Sequence, residues 1–310
     1  MVGSQPVCKG CGQPIWGNYF TALGGTWHPE HFVCAACGRP ITDASFNLHQ
    51  GAPYHAECYA NRVAPRCAYC GKPLLDEYLV DSWGTLFCRQ HKQEYPSCAY
   101  CGRLVPPVQR EQPSSSSSEA IRCPICRASA IETVTEAMPL FTHVKQWNGS
   151  QGLVKEDLAL SLELCDRARL ATLLRERNHV NSLGATVSST YSQNGRVIRT
   201  EIGGVAVLRG LPATLFQGVA VHELGHVWLI LHDIRNLPSW AEEGFCELLS
   251  YRFYTEMNTL ESRHYAQTIE QNPDPVYGGG FQRVRARVEA TGFGRFLGIL
   301  RTTKGLPYQG

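Results

Sequence analysis

Residues 220–232 read AVHELGHVWLILH, with His222 and His226 four apart and Glu223 beside the first. On a helix, residues four apart share a face, so both imidazoles can bind one cation while Glu223 reaches a water beside it. The bland alternative is an amphipathic helix with surface acids. It fits poorly, because Val221, Leu224, Val227 and Trp228 flank the histidines. Imidazoles and a carboxylate in apolar surroundings are costly without a partner, and a metal provides one. A catalytic zinc needs a third protein ligand and one open position. SWAEEGFCELLSY (239–251) reads as the next helix, and Glu243 in its first turn is the candidate third ligand. Glu247, one turn on, is placed to accept a hydrogen bond from a free ring nitrogen of His222 or His226. Glu242 points about 100° away from Glu243 on an ideal helix and reads as solvent-facing.

In this arrangement His222, His226 and Glu243 are the expected ligands and Glu223 the base that relays a water's proton. An oxyanion would need a further donor; Tyr277 is the first candidate, with His264 and Tyr251 behind it. Upstream, GATVSSTY (184–191) and RVIRTEIGGVAVLRG (196–210) read as strands. Gly203 and Gly204 mark either close approach of a substrate backbone or a plain β-bulge. Leu158, Leu162, Cys165, Leu170, Leu173 and Leu174 take helical spacing over 155–177. Helices are expected at about 213–232, 239–257 and 259–271. NPDPVYGGGF (272–281) reads as a loop, and one or two helices close the chain.

The first 126 residues have another character. Twelve of the fourteen cysteines lie there, in Cys-x-x-Cys-like pairs interleaved with histidines. Cys8 and Cys11 are followed after sixteen residues by His28 and His31, and Cys34 and Cys37 after seventeen by His55 and Cys58. Cys67, Cys70, Cys88 and His91 form a third set, and Cys98, Cys101, Cys123 and Cys126 a fourth. Pairs of this spacing close tetrahedral zinc sites with no catalytic vacancy. The serine run at 113–118 reads as a loop. Cys165 and Cys246 are expected as buried small hydrophobes on helices, with no histidine near them.

Composition sets the frame. The chain has 310 residues, 43% apolar and 18% charged, with a net charge of +2. That balance disfavours nucleic-acid and polybasic membrane binding. No apolar leader and no run of 18 apolar residues is seen, so a cytoplasmic location is expected, and the cysteine pattern suits a reducing compartment.

TWHPEHFVCAAC (26–37) and PYHAECY (53–59), with the ligand spacing, resemble a LIM domain; His31 stands where that family usually has cysteine. The third and fourth sets are LIM-like. HELGHVW followed by EEGFCELL resembles the gluzincin peptidases. The stretch from VAVLRGLP to FCELLS (205–250), with DPVYGGGF (274–281), is similar to the ubiquitin-activated LIM peptidases that restrain plant organ growth, the DA-type family.

The expected class is α+β: a LIM module (1–62), a LIM-like module (63–130) and a mainly helical gluzincin-like zinc metallopeptidase domain with a small sheet (131–310). The resemblance implies one catalytic and four structural zinc ions, and protein substrates. Among gluzincins the strand before the metal helix is a sheet edge, where a substrate would be added as a strand. No Gly-x-Met-Glu-Asn motif is seen, which favours internal cleavage. Ubiquitin or ubiquitinated proteins are implied partners, although the ubiquitin-interacting helices of the plant members have no counterpart ahead of Cys8. The competing reading is a non-catalytic LIM adaptor.

Overall fold

The computed structural model describes residues 5–43, 45–109, 120–174, 182–193 and 196–306, so the serine run lies outside the described residues. The chain divides into two compact units, Met1–Pro96 and Ser97–Gly310. Helices and several small sheets make it α+β. Among the described residues, no helix is long and apolar enough to cross a membrane.

The first unit is built from three antiparallel hairpins: β1 (Phe20–Ala22) with β2 (Gly25–Trp27), β3 (Asn47–His49) with β4 (Ala52–Tyr54), and β5 (Tyr78–Val80) with β6 (Leu86–Cys88). Helix α1 (Ala56–Arg62) follows the second hairpin, and the one-turn α2 (His91–Glu94) follows the third. A Cys-x-x-Cys-Gly turn precedes each hairpin, and a fourth opens the second unit. In every one the glycine amide donates to the carbonyl of the first cysteine. Gly12, Gly38, Gly71 and Gly102 take φ of 72°, 70°, 70° and 72°. That is left-handed backbone, which glycine enters without a Cβ penalty. In the Cys8–Cys58 segment, Phe32 packs on Phe20, Phe46 and Trp27 at ring distances of 4.9, 5.1 and 5.6 Å. Only Phe32, Cys34 and Ile41 of this cluster are fully buried. A core so thin depends on metal cross-links.

The second unit opens with the fourth cysteine turn, then α3 (Pro124–Ala128) and β7 (Ala130–Ile131). Next come α4 (Val134–Ser150), β8 (Ser161–Cys165), α5 (Arg167–Leu174), β9 (Gly184–Gln193), β10 (Arg196–Leu208) and β11 (Leu211–Pro212). Five helices complete it: α6 (Ala213–Leu231), α7 (Ser239–Met257), α8 (Leu260–Glu270), α9 (Gly278–Thr291) and α10 (Phe293–Thr303). Helix α6 is apolar nearly all round, as a helix inside a core must be. It packs on α7, α4 and the sheet, around Phe216, Leu224, Trp228 and Phe245.

The sheet runs β8-β10-β9, with β8 parallel and β9 antiparallel to the centre. Two expectations change here. Residues 161–165 are a strand, and the helix begins only at Arg167, where Asp166 caps the Arg169 amide at 2.8 Å. Leu162 and Leu164 alternate, and pairing with β10 outweighs the longer helical spacing. Residues 175–177 lie outside the described residues. Second, β10 is internal, so residues 203–208 offer no edge for a substrate. The register shift between Ile202 and Gly204 is a bulge. A Cβ on Gly204 would come 2.2 Å from the Ser161 carbonyl oxygen, so the close backbone approach is that of β8.

Helix α4 is an element that periodicity alone did not expose. Thr133 and Glu136 form its capping box, and Phe141 and Val144 carry it into the core. The stretch 272–281 is a loop only as far as Tyr277; its glycines open α9.

The fourth cysteine segment is tied to the entry of α6. β7 pairs with β11, the Gly210 amide donates to the Ile131 carbonyl, and the Ala213 amide to that of Ser129. Arg122 Nη1 reaches the Gly210 carbonyl at 3.3 Å and Glu132 at 2.9 Å. A chain beginning at Ser97 is expected to unfold in one cooperative transition. A chain beginning at Val134 loses buried Ile131 and the β7 pairing, and should melt about 10 °C lower, from several kcal/mol of lost burial. Differential scanning calorimetry of the two checks this.

Candidate metal centre

Helix geometry places His222 and His226 one turn apart on α6, with ring centroids separated by 5.1 Å. Helix α7 starts after Pro238 and brings Glu243 across from them. Glu243 Oε2 lies 3.2 Å from His222 Nε2 and 3.6 Å from His226 Nε2. Around one zinc with bonds of about 2.0–2.1 Å, tetrahedral nitrogen and oxygen ligands sit about 3.3–3.4 Å apart. The three atoms therefore fit one ion. The other ring nitrogens are taken by carboxylates: His222 Nδ1 donates to Glu247 Oε1 at 3.2 Å, and His226 Nδ1 to Glu242 Oε1 at 3.1 Å. Such pairs fix the tautomer that leaves Nε2 lone pairs facing the shared point. Glu242 is thus a partner of His226 rather than a solvent-facing residue. Helix α7 packs on α6, and the length of the side chain lets Glu242 reach the ring, which an ideal wheel does not capture.

Charge accounts for the titration of this cluster. Burial pulls the His222 pKa down, but Glu243 and Glu247 outweigh it and hold it well above the ordinary value. His226 is raised likewise against burial, by Cys246, Glu242 and Glu243. Burial pushes the Glu243 carboxyl up, and the two imidazoles hold it well below its usual range.

Glu223 is buried on the same helix. The Thr186 hydroxyl on β9 lies 2.9 Å from Glu223 Oε2 and 2.9 Å from the Glu223 carbonyl oxygen. Tyr277, immediately before α9, is half-buried. Burial raises its phenol pKa first, and the Glu243 and Glu247 charges raise it further, which puts the ring in the field of the cluster. The other two oxyanion candidates lie elsewhere: the Tyr251 hydroxyl donates to Glu270 at 2.9 Å, and His264 packs edge-on to Tyr265 on α8.

Cys246 departs from expectation. It is fully buried, but its ligand-capable atom lies within 4.8 Å of those of both His222 and His226. Its sulfur fills the gap left by Gly225, 2.8 Å from where a Cβ would stand, in the α6–α7 seam. The spacing Glu243–Cys246 on one helix already carried that proximity.

The four cysteine-rich sets each gather their ligand atoms within 4.8 Å. Tetrahedral zinc bonded to sulfur at about 2.3 Å separates two sulfurs by about 3.8 Å, and a sulfur from a nitrogen by about 3.6 Å. Cys70–Cys88 and Cys101–Cys123 are 3.8 and 3.6 Å apart, and Cys8–His31 and Cys11–His28 are 3.6 and 3.5 Å apart. Disulfides would need about 2.05 Å. His55 donates Nε2–H to the Pro40 carbonyl, leaving Nδ1 for the metal 3.5 Å from Cys37. His91 gives Nδ1 to Glu94, and its Nε2 is buried with no hydrogen-bond partner, the mark of an atom that faces an ion. Burial pushes the Cys8 thiol up, yet the His28 amide and His31 ring outweigh it and bring it to about 5. Cys34 and Cys67 reach about 6 by a similar balance with amide donors. These sets have the donors and spacing of several zinc sites.

Comparison with known proteins finds two matching family models. A LIM domain family model matches residues 8–63, which hold the first two sets. A DA1-like model, described as Protein DA1, matches residues 144–268, which include His222, Glu223, His226, Glu243 and Glu247 but not Tyr277. Protein DA1-related 1 of Arabidopsis thaliana is 27% identical over 85% of this chain, an alignment that spans only 52% of that protein's length. LIM domain-containing protein HDR3 of Oryza sativa subsp. japonica is 26% identical over 97% of the chain and 74% of its own. Protein DA1 of Arabidopsis thaliana is 23% identical over 97% and 68%. With a LIM domain ahead of a DA1-like segment, the chain is similar along nearly its whole length to the DA-type LIM-domain proteins.

Proposed function

We propose that the second unit is a zinc-dependent endopeptidase and that the zinc modules of the first unit recognise or restrain its protein substrates. The observation that carries this reading is the meeting of His222 Nε2, His226 Nε2 and Glu243 Oε2 around one point, with the buried carboxylate of Glu223 on the same helix. Three donors leave a corner open, whereas the four cysteine-rich sets are closed and suit structural zinc.

Zinc held by the three donors supplies Lewis-acid polarisation of the scissile carbonyl and a more acidic water. Glu223 takes that water's proton as its oxygen attacks the carbonyl carbon, and passes the proton to the departing amine. The C–N bond breaks, a C–O bond forms, and Glu223 ends as it began. Glu247 and Glu242 keep both rings in register. Tyr277, with its phenol kept protonated, serves as donor to the oxyanion. The terminal strand beside α6 is β9, and it takes over the role first given to β10: an extended substrate pairs with its main chain.

Protein substrates are the partners this reading requires. Ubiquitin or ubiquitinated proteins enter through the family resemblance alone, and neither nucleic acid nor membrane is called for. The thiols of the chain are all free of disulfides among the described residues, which suits a reducing compartment such as the cytoplasm. A non-hydrolytic adaptor is the second reading. It is favoured by Trp16, Leu75 and Val80, exposed at 76%, 55% and 57% on the first unit, as protein-binding surfaces are.

Metal counting by plasma mass spectrometry separates the two: the peptidase holds five zinc ions per chain, the adaptor four, and His226→Ala should remove one. Glu223→Gln is expected to lower cleavage of a casein probe about 10²- to 10⁴-fold with zinc content and circular dichroism unchanged. Retained cleavage would end the assignment of the base. Glu247→Gln should weaken zinc at this centre about 10- to 100-fold, read by competition with a chelating dye.

A further inference from the structure

We propose that Thr186 is the positioning residue that fixes the Glu223 carboxylate, with Gly184 making the space for it. This rests on the reading of Glu223 as the base. Gly184 and Thr186 are two apart on β9, so they share one face of the strand. That face meets Glu223. The Thr186 hydroxyl lies 2.9 Å from Glu223 Oε2 and 2.9 Å from its carbonyl oxygen. It has one proton and donates to one acceptor at a time, but either bond ties β9 to this residue of α6. The second carboxylate oxygen lies over Gly184. A Cβ there would come 2.8 Å from Glu223 Oε1 and 2.9 Å from Glu223 Cγ. Even alanine at 184 would push the side chain aside.

The chemistry gives this arrangement a purpose. A glutamate side chain turns about three bonds, and a base must meet its proton within a few tenths of an ångström. Holding one oxygen by a donor and seating the other over bare backbone restrains those rotations before substrate arrives. Threonine is common in strands for its shape. Here its hydroxyl is turned to a buried carboxylate, and shape does not require that. β9 is also the strand proposed to receive substrate, so the same element would align the base and the scissile bond.

The test uses the full zinc-loaded chain with casein and a quenched fluorescent peptide. Thr186→Val is expected to lower kcat about 10- to 100-fold with KM within about twofold, the signature of a misplaced catalytic group. Thr186→Ser keeps the hydroxyl and should recover most of the loss; Gly184→Ala should fall with Thr186→Val. Thr186→Ala gives the same comparison if the valine variant does not fold. Wild-type kcat in the valine or alanine variant at wild-type zinc content overturns the proposal, as does a serine variant no better than valine. If the unaltered chain cleaves neither probe, the peptidase reading is what fails. Carbon-13 NMR of glutamate-labelled protein then decides the role of Thr186. The Glu223 carboxyl signal, assigned by its loss in Glu223→Gln, should move in Thr186→Val and stay put in Thr186→Ser; an unmoved signal in the valine variant overturns it.

Discussion

Three carboxylates and two imidazoles crowd the seam between α6 and α7, and their charges have to balance. Glu242, Glu243 and Glu247 all contact His222 or His226. A buried carboxylate without compensation costs several kcal/mol. The neighbouring charges outweigh burial and hold both imidazoles well above their ordinary pKa. A divalent cation held by the same donors would balance those carboxylates. Close packing serves the same seam. Gly225 leaves room for the Cys246 sulfur, and a Cβ on Gly244 would lie 2.3 Å from the Gly280 carbonyl carbon. Helix α9 can therefore lie directly on the helix that carries Glu243, which brings Tyr277 beside the cluster.

Helix α6 is held at its entry as well as along its length. β11 stands immediately before α6, and β7 pairs with it. The segment that carries β7 also carries Cys123 and Cys126, while Tyr100, between Cys98 and Cys101, packs on the main core. Three of the cysteine-rich sets fold in the first unit and the fourth in the second. A zinc held by the fourth set would cross-link the segment that carries β7, the partner of the strand before α6. The four sets share one local turn, yet they serve different ends: the first three compensate for a thin core, and the fourth braces a thick one.

Much of the candidate site was legible because its spacing is local. His222, Glu223 and His226 lie within five residues of one helix, and Glu243 falls early in the next helix after a short connection. The cysteine sets were legible for the same reason, and the glycine after each pair is a further signal in plain view. Contacts from other elements were not legible. Glu242 was assigned to solvent because an ideal wheel says nothing of a neighbouring helix. Cys246 was read as remote from histidine because α6 and α7 had not yet been docked. Thr186 belongs to a strand 37 residues before Glu223, and no pattern in the sequence links the two.

Sequence by itself determined α6, α7 and α8 to within a residue or two, and the spacing of the four cysteine-rich donor sets and of the His222, His226 and Glu243 candidates, since each depends on periodicity or on residues a short way apart. Tertiary structure alone decided that residues 161–165 are a strand, that β10 is internal and β9 terminal, that the fourth set belongs with the second unit, and which groups contact the two imidazoles and Glu223. The reason is physical. A leucine-rich stretch satisfies helix and strand alike until a partner strand offers its hydrogen bonds, and a polar side chain takes its role from whichever neighbour packing brings within 3 Å.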